Sequence, residues 1–184
     1  MDRHPAPEAC IAATREWLER AVIGLNLCPF AKAPHAKGQV RYVVSDATRA
    51  EDLLADLLGE LQRLADADPG EIETTLLIHP HVLGDFLDYN DFLDIADAAL
   101  QALHLDGVLQ VASFHPDYRF AGTGADDIAN ATNRSPYPTL HLLREASIDR
   151  AVAAFPDAAR IYEHNVATLR QLGHAGWQAL WSRP

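Results

Sequence analysis

The sequence predicts an α/β fold in which a mostly parallel sheet of three or four strands is flanked by helices. Two short runs of apolar and β-branched residues, Thr74–Ile78 and Val108–Phe114, have the composition of strands buried on both faces. Segments with the apolar repeat of amphipathic helices separate these runs from each other and from a third strand at Gln39–Ser45. Strands that alternate with helices favour right-handed crossovers and a parallel sheet.

The helices between these strands are predicted from apolar residues at helical spacing and from the residues that begin and end them. The first helix begins at Pro7 and ends at 24–26. The second follows a capping box at 48–51 and carries a stripe of leucines. The third begins with Asn90 as its N-cap and ends at 106–107.

The C-terminal part of the chain continues this pattern. Thr139–Leu143 is predicted to be a fourth strand, with a short helix as the alternative. Ser147 and Pro156 each begin a helix, and Gly173 ends the second of them. Trp177 and Trp181 lie one turn apart beyond Gly173, and we expect them to pack the C-terminal tail onto the body of the domain.

One domain, comprising residues 1–184, accounts for the length and composition of the chain. It is 48% hydrophobic and 22% charged, and a domain of this size folds without a disulfide or a metal. The net charge of −11 argues against nucleic-acid and membrane-surface partners. A small anionic ligand is compatible with this charge, because a local group of arginines acts at short range. Arg119, Arg134 and Arg144 form such a group in the sequence.

The cysteines and the N-terminal segment predict a cytoplasmic protein. Cys10 and Cys28 have neither the spacing of a Cys-x-x-Cys metal site nor the number of a disulfide scaffold. Residues 1–8 are polar and lack the apolar centre of a signal peptide. The apolar runs are much shorter than the roughly 20 residues that a membrane-spanning helix needs.

Two of the predicted strands end in the same dipeptide, His79-Pro80 and His115-Pro116. If both strands run in the same direction, their carboxyl ends share the edge at which open α/β folds bind ligands. His79 and His115 would converge there as candidate catalytic acid–base residues. The alternative is structural, because proline ends a strand and a half-buried histidine then bonds to a loop carbonyl.

A metal site is a second interpretation of the same histidines. Imidazoles of His79, His81 and His115, with a carboxylate or the thiolate of Cys28, would supply the ligands of a divalent transition metal. Their spacing matches no specific metal motif. The sequence leaves open whether a metal binds.

Cys28 is a candidate nucleophile whose setting favours a structural role. It follows the predicted C-terminus of the first helix, where the negative partial charge raises the pKa of a thiol. Pro29 removes a backbone donor that would stabilise a thiolate. A nearby cation such as Lys32, an arginine or a protonated histidine would reverse this preference.

The segment 115–138 has no sustained periodicity, and such a long loop inside a domain is typical of a functional region. A short helix is predicted within it from Asp126 to Thr132. Prolines on both sides of Tyr137 make the following loop rigid, so that it can aim side chains at a ligand.

The arginines of this segment suit a carboxylate or a phosphate, which they bind through forked hydrogen bonds. The alternative is that Arg119 or Arg134 pairs with Asp126 or Asp127 and ties the loop to the domain. The candidate substrate-binding residues are Arg119, Asn133, Arg134 and Tyr137.

Three strings in the chain are similar to those of a known family. They are LNLCPFA at 25–31, FHPDYRFAGT at 114–123 and NRSPYP at 133–138. On these strings the chain resembles, over nearly its whole length, a family of bacterial proteins classed as a domain of unknown function. The resemblance implies a free-standing cytosolic bacterial protein and no established activity.

The sequence predicts a small enzyme that acts on a small anionic substrate at the carboxyl edge of the sheet. Histidine would be the general acid/base or the metal ligand, and arginine would orient the substrate. A first alternative is a non-catalytic protein that binds a small anionic metabolite through the same loop. A second is an oligomeric protein in which the loop forms a subunit contact. The substrate, the reaction type and the oligomeric state stay open.

Overall fold

A computed structural model describes residues 5–155 and 157–182. Its strands form one sheet in the order β1-β2-β4-β3. β1 and β2 are parallel, whereas β4 is antiparallel to both of its neighbours. The α/β class is confirmed, but the sheet is mixed, so the prediction of a mostly parallel sheet is wrong. The strands are β1 (Val40–Val44), β2 (Thr74–Ile78), β3 (Leu109–Phe114) and β4 (Thr139–Arg144).

The connection between β3 and β4 explains the mixed sheet. The segment 115–138 leaves the carboxyl end of β3 and brings the chain back to the same edge, so β4 runs in the opposite direction. A parallel neighbour would have needed a crossover to the other edge, usually through a helix. Because β2 and β3 are both antiparallel to β4, they point the same way although they are not adjacent.

Helices lie on both faces of the sheet. Within the described ranges no helix is long and apolar enough to cross a membrane. The first α-helix continues as a π-helix over Leu18–Ile23, and two 3₁₀ helices cover Ile128–Asn133 and Ala158–Arg160. Pro156, predicted to begin the last helix, lies outside the described residues. The α-helices are α1 (Pro7–Trp17), α2 (Lys32–Ala36), α3 (Ala50–Asp66), α4 (Phe86–Ala102), α5 (Glu145–Ala154) and α6 (Ile161–Ala179).

The start of α4 differs from the prediction. Its first residue is Phe86, and Asn90 lies inside the helix. The side chain of Asp85 is the N-cap, since it accepts hydrogen bonds from the backbone N–H groups of Leu87 (2.8 Å) and Asp88 (3.3 Å). The helix therefore begins one full turn earlier than the sequence pattern suggested.

Two other predicted caps do not form. The N-cap of α3 is Arg49 without a side-chain hydrogen bond, so the capping box at Thr48 is absent. α5 begins at Glu145, ahead of Ser147. The first helix ends as predicted, and Asn26 beyond it has a φ of 54°, a left-handed conformation that asparagine tolerates.

The two faces of the sheet pack differently. α3 and α4 cover one face, here called the α4 face, with an apolar core that includes the fully buried Leu77, Leu140 and Leu142. α1 packs on the opposite face, the α1 face, where the rings of Trp17 and Phe114 are 5.1 Å apart. The predicted packing of the C-terminal tail is confirmed, because Trp177 and Trp181 join this second cluster.

Candidate functional site

The carboxyl ends of three strands meet at one edge of the sheet, where β4 begins. Ser45 follows β1, His79 follows β2 and His115 follows β3. The backbone N–H of Ser45 donates to the carbonyl oxygen of Ile78 at 2.8 Å, which ties the first two ends together. The structure thus places His79 and His115 at a common edge, although β4 separates their strands.

Tyr89 of α4 is the aromatic centre of this edge. Its ring stacks on that of His79, with centroids 5.7 Å apart and planes at 16°. The ring of His115 lies 5.0 Å from Tyr89 and 5.5 Å from Phe86. Tyr89, His79 and His115 are all 0% exposed, so the two imidazoles lie in surroundings from which water is excluded.

His79 keeps one ring nitrogen without a partner. Its Nδ1 is 3.0 Å from the carbonyl oxygen of Val82, so Nδ1 carries the proton and donates it. Burial, together with the neighbouring His115, lowers the pKa of His79 to about 4 and keeps the ring neutral at neutral pH. Nε2 then carries a lone pair, and it is buried without a hydrogen-bond partner among the described residues.

Both ring nitrogens of His115 are occupied. Nδ1 accepts a hydrogen bond from the backbone N–H of Asp117 at 3.0 Å, and Nε2 donates to the carbonyl oxygen of Leu83 at 3.1 Å. Leu83 has a φ of 57°, which is unfavourable for leucine, and this bond helps to hold it there. Burial lowers the pKa of His115, so the ring is a neutral link between two loops. This arrangement favours the structural interpretation of His115.

The structure gives no support to a metal site at this edge. No group of three or more His, Cys, Asp or Glu side chains within 5–155 and 157–182 is arranged to hold a metal ion. Backbone groups already occupy Nδ1 of His79 and both nitrogens of His115. Of the ring nitrogens of His79 and His115 only Nε2 of His79 is unpartnered, so binding of a divalent transition metal by His79, His81 and His115 stays a prediction without support from this arrangement.

Arg134 and Asn133 hold the long loop in place. The guanidinium of Arg134 donates to the carbonyl oxygens of Tyr118 (3.2 Å) and Ala125 (2.7 Å). The side-chain amide of Asn133 donates to the carbonyl oxygen of Ser113 at 3.0 Å. These contacts favour the alternative in which the loop is tied down, although the partners of Arg134 are carbonyls and not the aspartates considered from the sequence.

The other two predicted substrate-binding residues differ from each other. The hydroxyl of Tyr137 is hydrogen-bonded to the thiol of Cys10 on α1, so it faces away from the histidines of the α4 face. Arg119 is exposed and makes no hydrogen bond or ion pair with any residue that the structure describes. Arg119 is therefore the predicted cation that is available to a ligand.

Cys28 packs beside Trp17 in the apolar cluster between α1 and the sheet. Burial raises the pKa of its thiol, and backbone hydrogen bonds at Phe30 and Ala31 offset this rise only in part. A protonated, packed thiol is a poor nucleophile. The setting favours the structural interpretation of Cys28.

Two further residues of interest are not among those predicted from the sequence. Tyr89 is missed because the predicted helix begins after it; the apolar repeat extended back to Phe86 would have placed it on the buried side of α4. His141 is the second. It lies between Leu140 and Leu142 in β4, so strand alternation places it on the face opposite to these leucines.

His141 is held in one tautomer by a hydroxyl. The hydroxyl of Thr74 donates its single proton to the carbonyl oxygen of Leu142 at 2.7 Å and lies 2.5 Å from Nε2 of His141. Nε2 must therefore be the protonated nitrogen and donate to Thr74. Burial lowers the pKa of this ring to about 4, although the side chain is partly exposed.

Two surface cavities lie apart from these histidines. One of about 590 Å³ lies between β1 and α3 and is lined by acidic side chains, including Asp46, Asp52 and Asp56. The other, of about 510 Å³, lies between Pro29 and α6. None of the predicted catalytic or substrate-binding residues lines either of these two cavities.

Comparison with known families identifies a match over residues 9–179 to the family described as "Protein of unknown function (DUF1415)". No curated protein matches the chain, and no solved structure matches it. The family match covers nearly all of the described residues and assigns them no activity.

Proposed function

Since the chain belongs to this family of unknown function, we propose its function from the geometry: a small enzyme in which His79 is the general base for a small anionic substrate. The observation that carries the proposal is the buried, unpartnered Nε2 of His79. Leaving a buried acceptor without a donor costs about 1–3 kcal/mol, and the lone pair of an imidazole nitrogen, unlike the unpartnered hydroxyls of Tyr42 and Thr75, can take a proton from a substrate. A hydroxyl, amine or C–H group of the substrate would supply the missing proton.

The lowered pKa of His79 is a reason to expect an anionic substrate. With a pKa of about 4 the free ring is unprotonated at neutral pH but is a weak base. A negative charge bound close to the ring would stabilise the imidazolium and raise its pKa towards neutral. The base would therefore become stronger when the substrate binds. The exposed guanidinium of Arg119 supplies a cation to orient that charge.

Substrate entry is proposed to involve the segment 116–127, which follows β3 and lies beside His115. Tyr118 packs on Phe86, with ring centroids 5.2 Å apart, and Phe86 in turn lies against His115. Arg134 holds this segment through two backbone carbonyls. Release of these two hydrogen bonds would expose the edge without disturbing the apolar core on the α4 face.

The proposal is tested by turnover in His79 variants. A panel of small carboxylates and phosphate esters is screened by thermal shift, and compounds that bind are incubated and analysed for products by mass spectrometry. His79→Gln should lower turnover at least about 100-fold, because general base catalysis contributes that much. Arg119→Gln should raise KM with a smaller effect on kcat.

His174→Gln is the matched control, since His174 is exposed on α6 and should leave turnover unchanged. Wild-type turnover in His79→Gln would show that His79 is not the base. A compound that stabilises the protein but is never converted would support the alternative, a binding protein for a small anionic metabolite. Loss of a defined oligomer on shortening the 116–127 segment would instead support a subunit contact.

A further inference from the structure

We infer that Tyr89 is the positioning residue of this edge, because its hydroxyl bridges the last residue pair of β3 and β4. The hydroxyl accepts the backbone N–H of Phe114 at 3.0 Å and donates to the carbonyl oxygen of Thr139 at 2.8 Å. The inference rests on the proposed function only for its consequence in catalysis.

Phe114 and Thr139 face each other in the register of β3 and β4. Backbone groups alternate in direction along a strand, and on either side of this pair they point outwards. The N–H of His79 bonds to the carbonyl of Pro138, and the N–H of His115 bonds to the carbonyl of Asn133. Phe114 and Thr139 therefore point at each other, as the two members of a hydrogen-bonded pair do.

An N–H group has one proton, and the proton of Phe114 is directed at Tyr89. The hydroxyl of Tyr89 on α4 thus lies at the position of a backbone hydrogen bond between the two strands. The Tyr89 oxygen therefore links a backbone donor of β3 to a backbone acceptor of β4 at their last residue pair. This bridge lies where β3 ends, directly before His115, and where β4 begins.

The same side chain also sets the histidine rings. The hydroxyl of Tyr89 is hydrogen-bonded to the backbone of both Phe114 and Thr139. Its ring stacks on that of His79 and lies 5.0 Å from that of His115. A single residue therefore couples α4, the ends of two strands and both imidazoles. Burial raises the pKa of Tyr89, so the hydroxyl keeps its proton and can donate throughout the working pH range.

The variant Tyr89→Phe separates the hydroxyl from the ring. Without the oxygen, the N–H of Phe114 either closes directly on Thr139 or loses its partner. Either outcome moves the end of β3 and therefore His115, whereas His141 lies two residues further along β4 and should stay in place. Amide hydrogen exchange and the imidazole nitrogen resonances of the histidines report these changes without any substrate.

In Tyr89→Phe we expect the exchange rate of the Phe114 amide to change at least about tenfold, since a hydrogen bond contributes about 1–1.5 kcal/mol. The resonances of His115 should shift while those of His141 do not. Phe86→Leu is the matched control, because it removes a neighbouring aromatic contact and leaves the Tyr89 bridge intact. Unchanged Phe114 exchange and unchanged His115 resonances in folded Tyr89→Phe would overturn the inference.

The wild-type protein provides a test that does not depend on the folding of a variant. The hydroxyl proton of Tyr89 should give a slowly exchanging resonance with a nuclear Overhauser effect to the Phe114 amide proton. A hydroxyl that exchanges rapidly with water would contradict the bridge.

The catalytic consequence is measured separately, once a substrate is known. Tyr89→Phe should lower kcat about tenfold with little change in KM, because the ring that stacks on His79 loses the hydroxyl that fixes its position, and a misplaced base loses rate and not binding. If the resonances shift but kcat does not, the bridge is real and its link to catalysis is wrong. If turnover never depends on His79, the proposed function fails while the bridge between β3 and β4 stands.

Discussion

His79 and His141 lie on opposite faces of the same sheet and show how differently two buried imidazoles can be held. Burial lowers the pKa of each to about 4. At His79 the carbonyl of Val82 accepts the proton of Nδ1, which leaves Nε2 as the unpartnered nitrogen. At His141 the hydroxyl of Thr74 accepts the proton of Nε2. A lowered pKa therefore does not distinguish the two histidines, and the proposal for His79 rests on its unpartnered nitrogen.

The surroundings differ because the two faces have different compositions. On the α4 face the central strands contribute Leu77, Leu140 and Leu142, all fully buried. On the α1 face β2 and β4 contribute the buried Leu76 and Ile78 together with the polar Thr74 and His141. The neighbouring β1 adds Tyr42, whose hydroxyl is buried without a partner among the described residues. Both faces therefore bury apolar side chains, and the α1 face also buries polar groups whose stability depends on individual hydrogen bonds.

The largest expected difference between His79 and His141 is in how each makes the unfolding free energy depend on pH. The folded pKa of His79, about 4, lies below its ordinary value of 6.5, so the unfolded chain binds more protons between these values. The contribution of His79 to the unfolding free energy is therefore fully present above pH 6.5 and is lost as the pH decreases towards 4. A fully buried histidine should lose about 2–3 kcal/mol over this window.

Urea denaturation at several pH values in the wild type, His79→Gln and His141→Gln measures the two contributions. The loss should be reduced by about 2 kcal/mol in His79→Gln, and by less in His141→Gln because solvent screens a partly exposed ring. Equal pH dependence in all three proteins would show that neither ring is held neutral by the fold.

Neighbouring threonines on β2 give the next test. Thr74→Val removes the hydroxyl that pairs with His141 and with the carbonyl of Leu142, and should lower the unfolding free energy by about 2 kcal/mol. Thr75→Val is the control, since the hydroxyl of Thr75 is buried without a partner among the described residues and its loss should be neutral or stabilising. Both are measured by chemical denaturation at neutral pH. A larger loss in Thr75→Val would reverse the assignment of the two faces.

The smallest expected effect concerns the loop that covers the edge. Arg134→Met removes hydrogen bonds to two carbonyls and should lower the unfolding free energy by about 1–1.5 kcal/mol. Arg119→Met should change it by less than about 0.5 kcal/mol, as for an exposed surface residue. Limited proteolysis should also cut the 116–127 segment faster in Arg134→Met. Similar behaviour of the two variants would mean that Arg134 does not hold the loop.

Much of the fold was predictable because it depends on neighbouring residues. Thr74–Ile78 was located from its composition alone, and the structure buries all of it. The direction of β4 was not predictable, because it depends on where the 115–138 segment returns the chain. The cap at Asp85 was missed for a similar reason, since several acidic residues precede the apolar repeat and only the folded backbone selects one of them.

The candidate site was likewise predictable where it depends on neighbouring residues, and not where it depends on distant segments. His79 and His115 were placed at one edge because each follows a strand directly in the sequence. Tyr89 was missed because its role depends on the rotation of α4 against the strand ends. The partners of Arg134 were missed because they are backbone carbonyls, which every residue carries and no side-chain pattern marks.

The sequence by itself determined the strands, most of the helices and the two histidines that follow β2 and β3. These features depend on the periodicity of apolar residues and on strand ends, both of which are local. Only the tertiary structure decided which nitrogen is free, which face each histidine occupies and which side chain bridges the last residue pair of β3 and β4. Those properties depend on donors and acceptors contributed by distant segments, and a buried polar group takes whichever partner the packed chain brings to it.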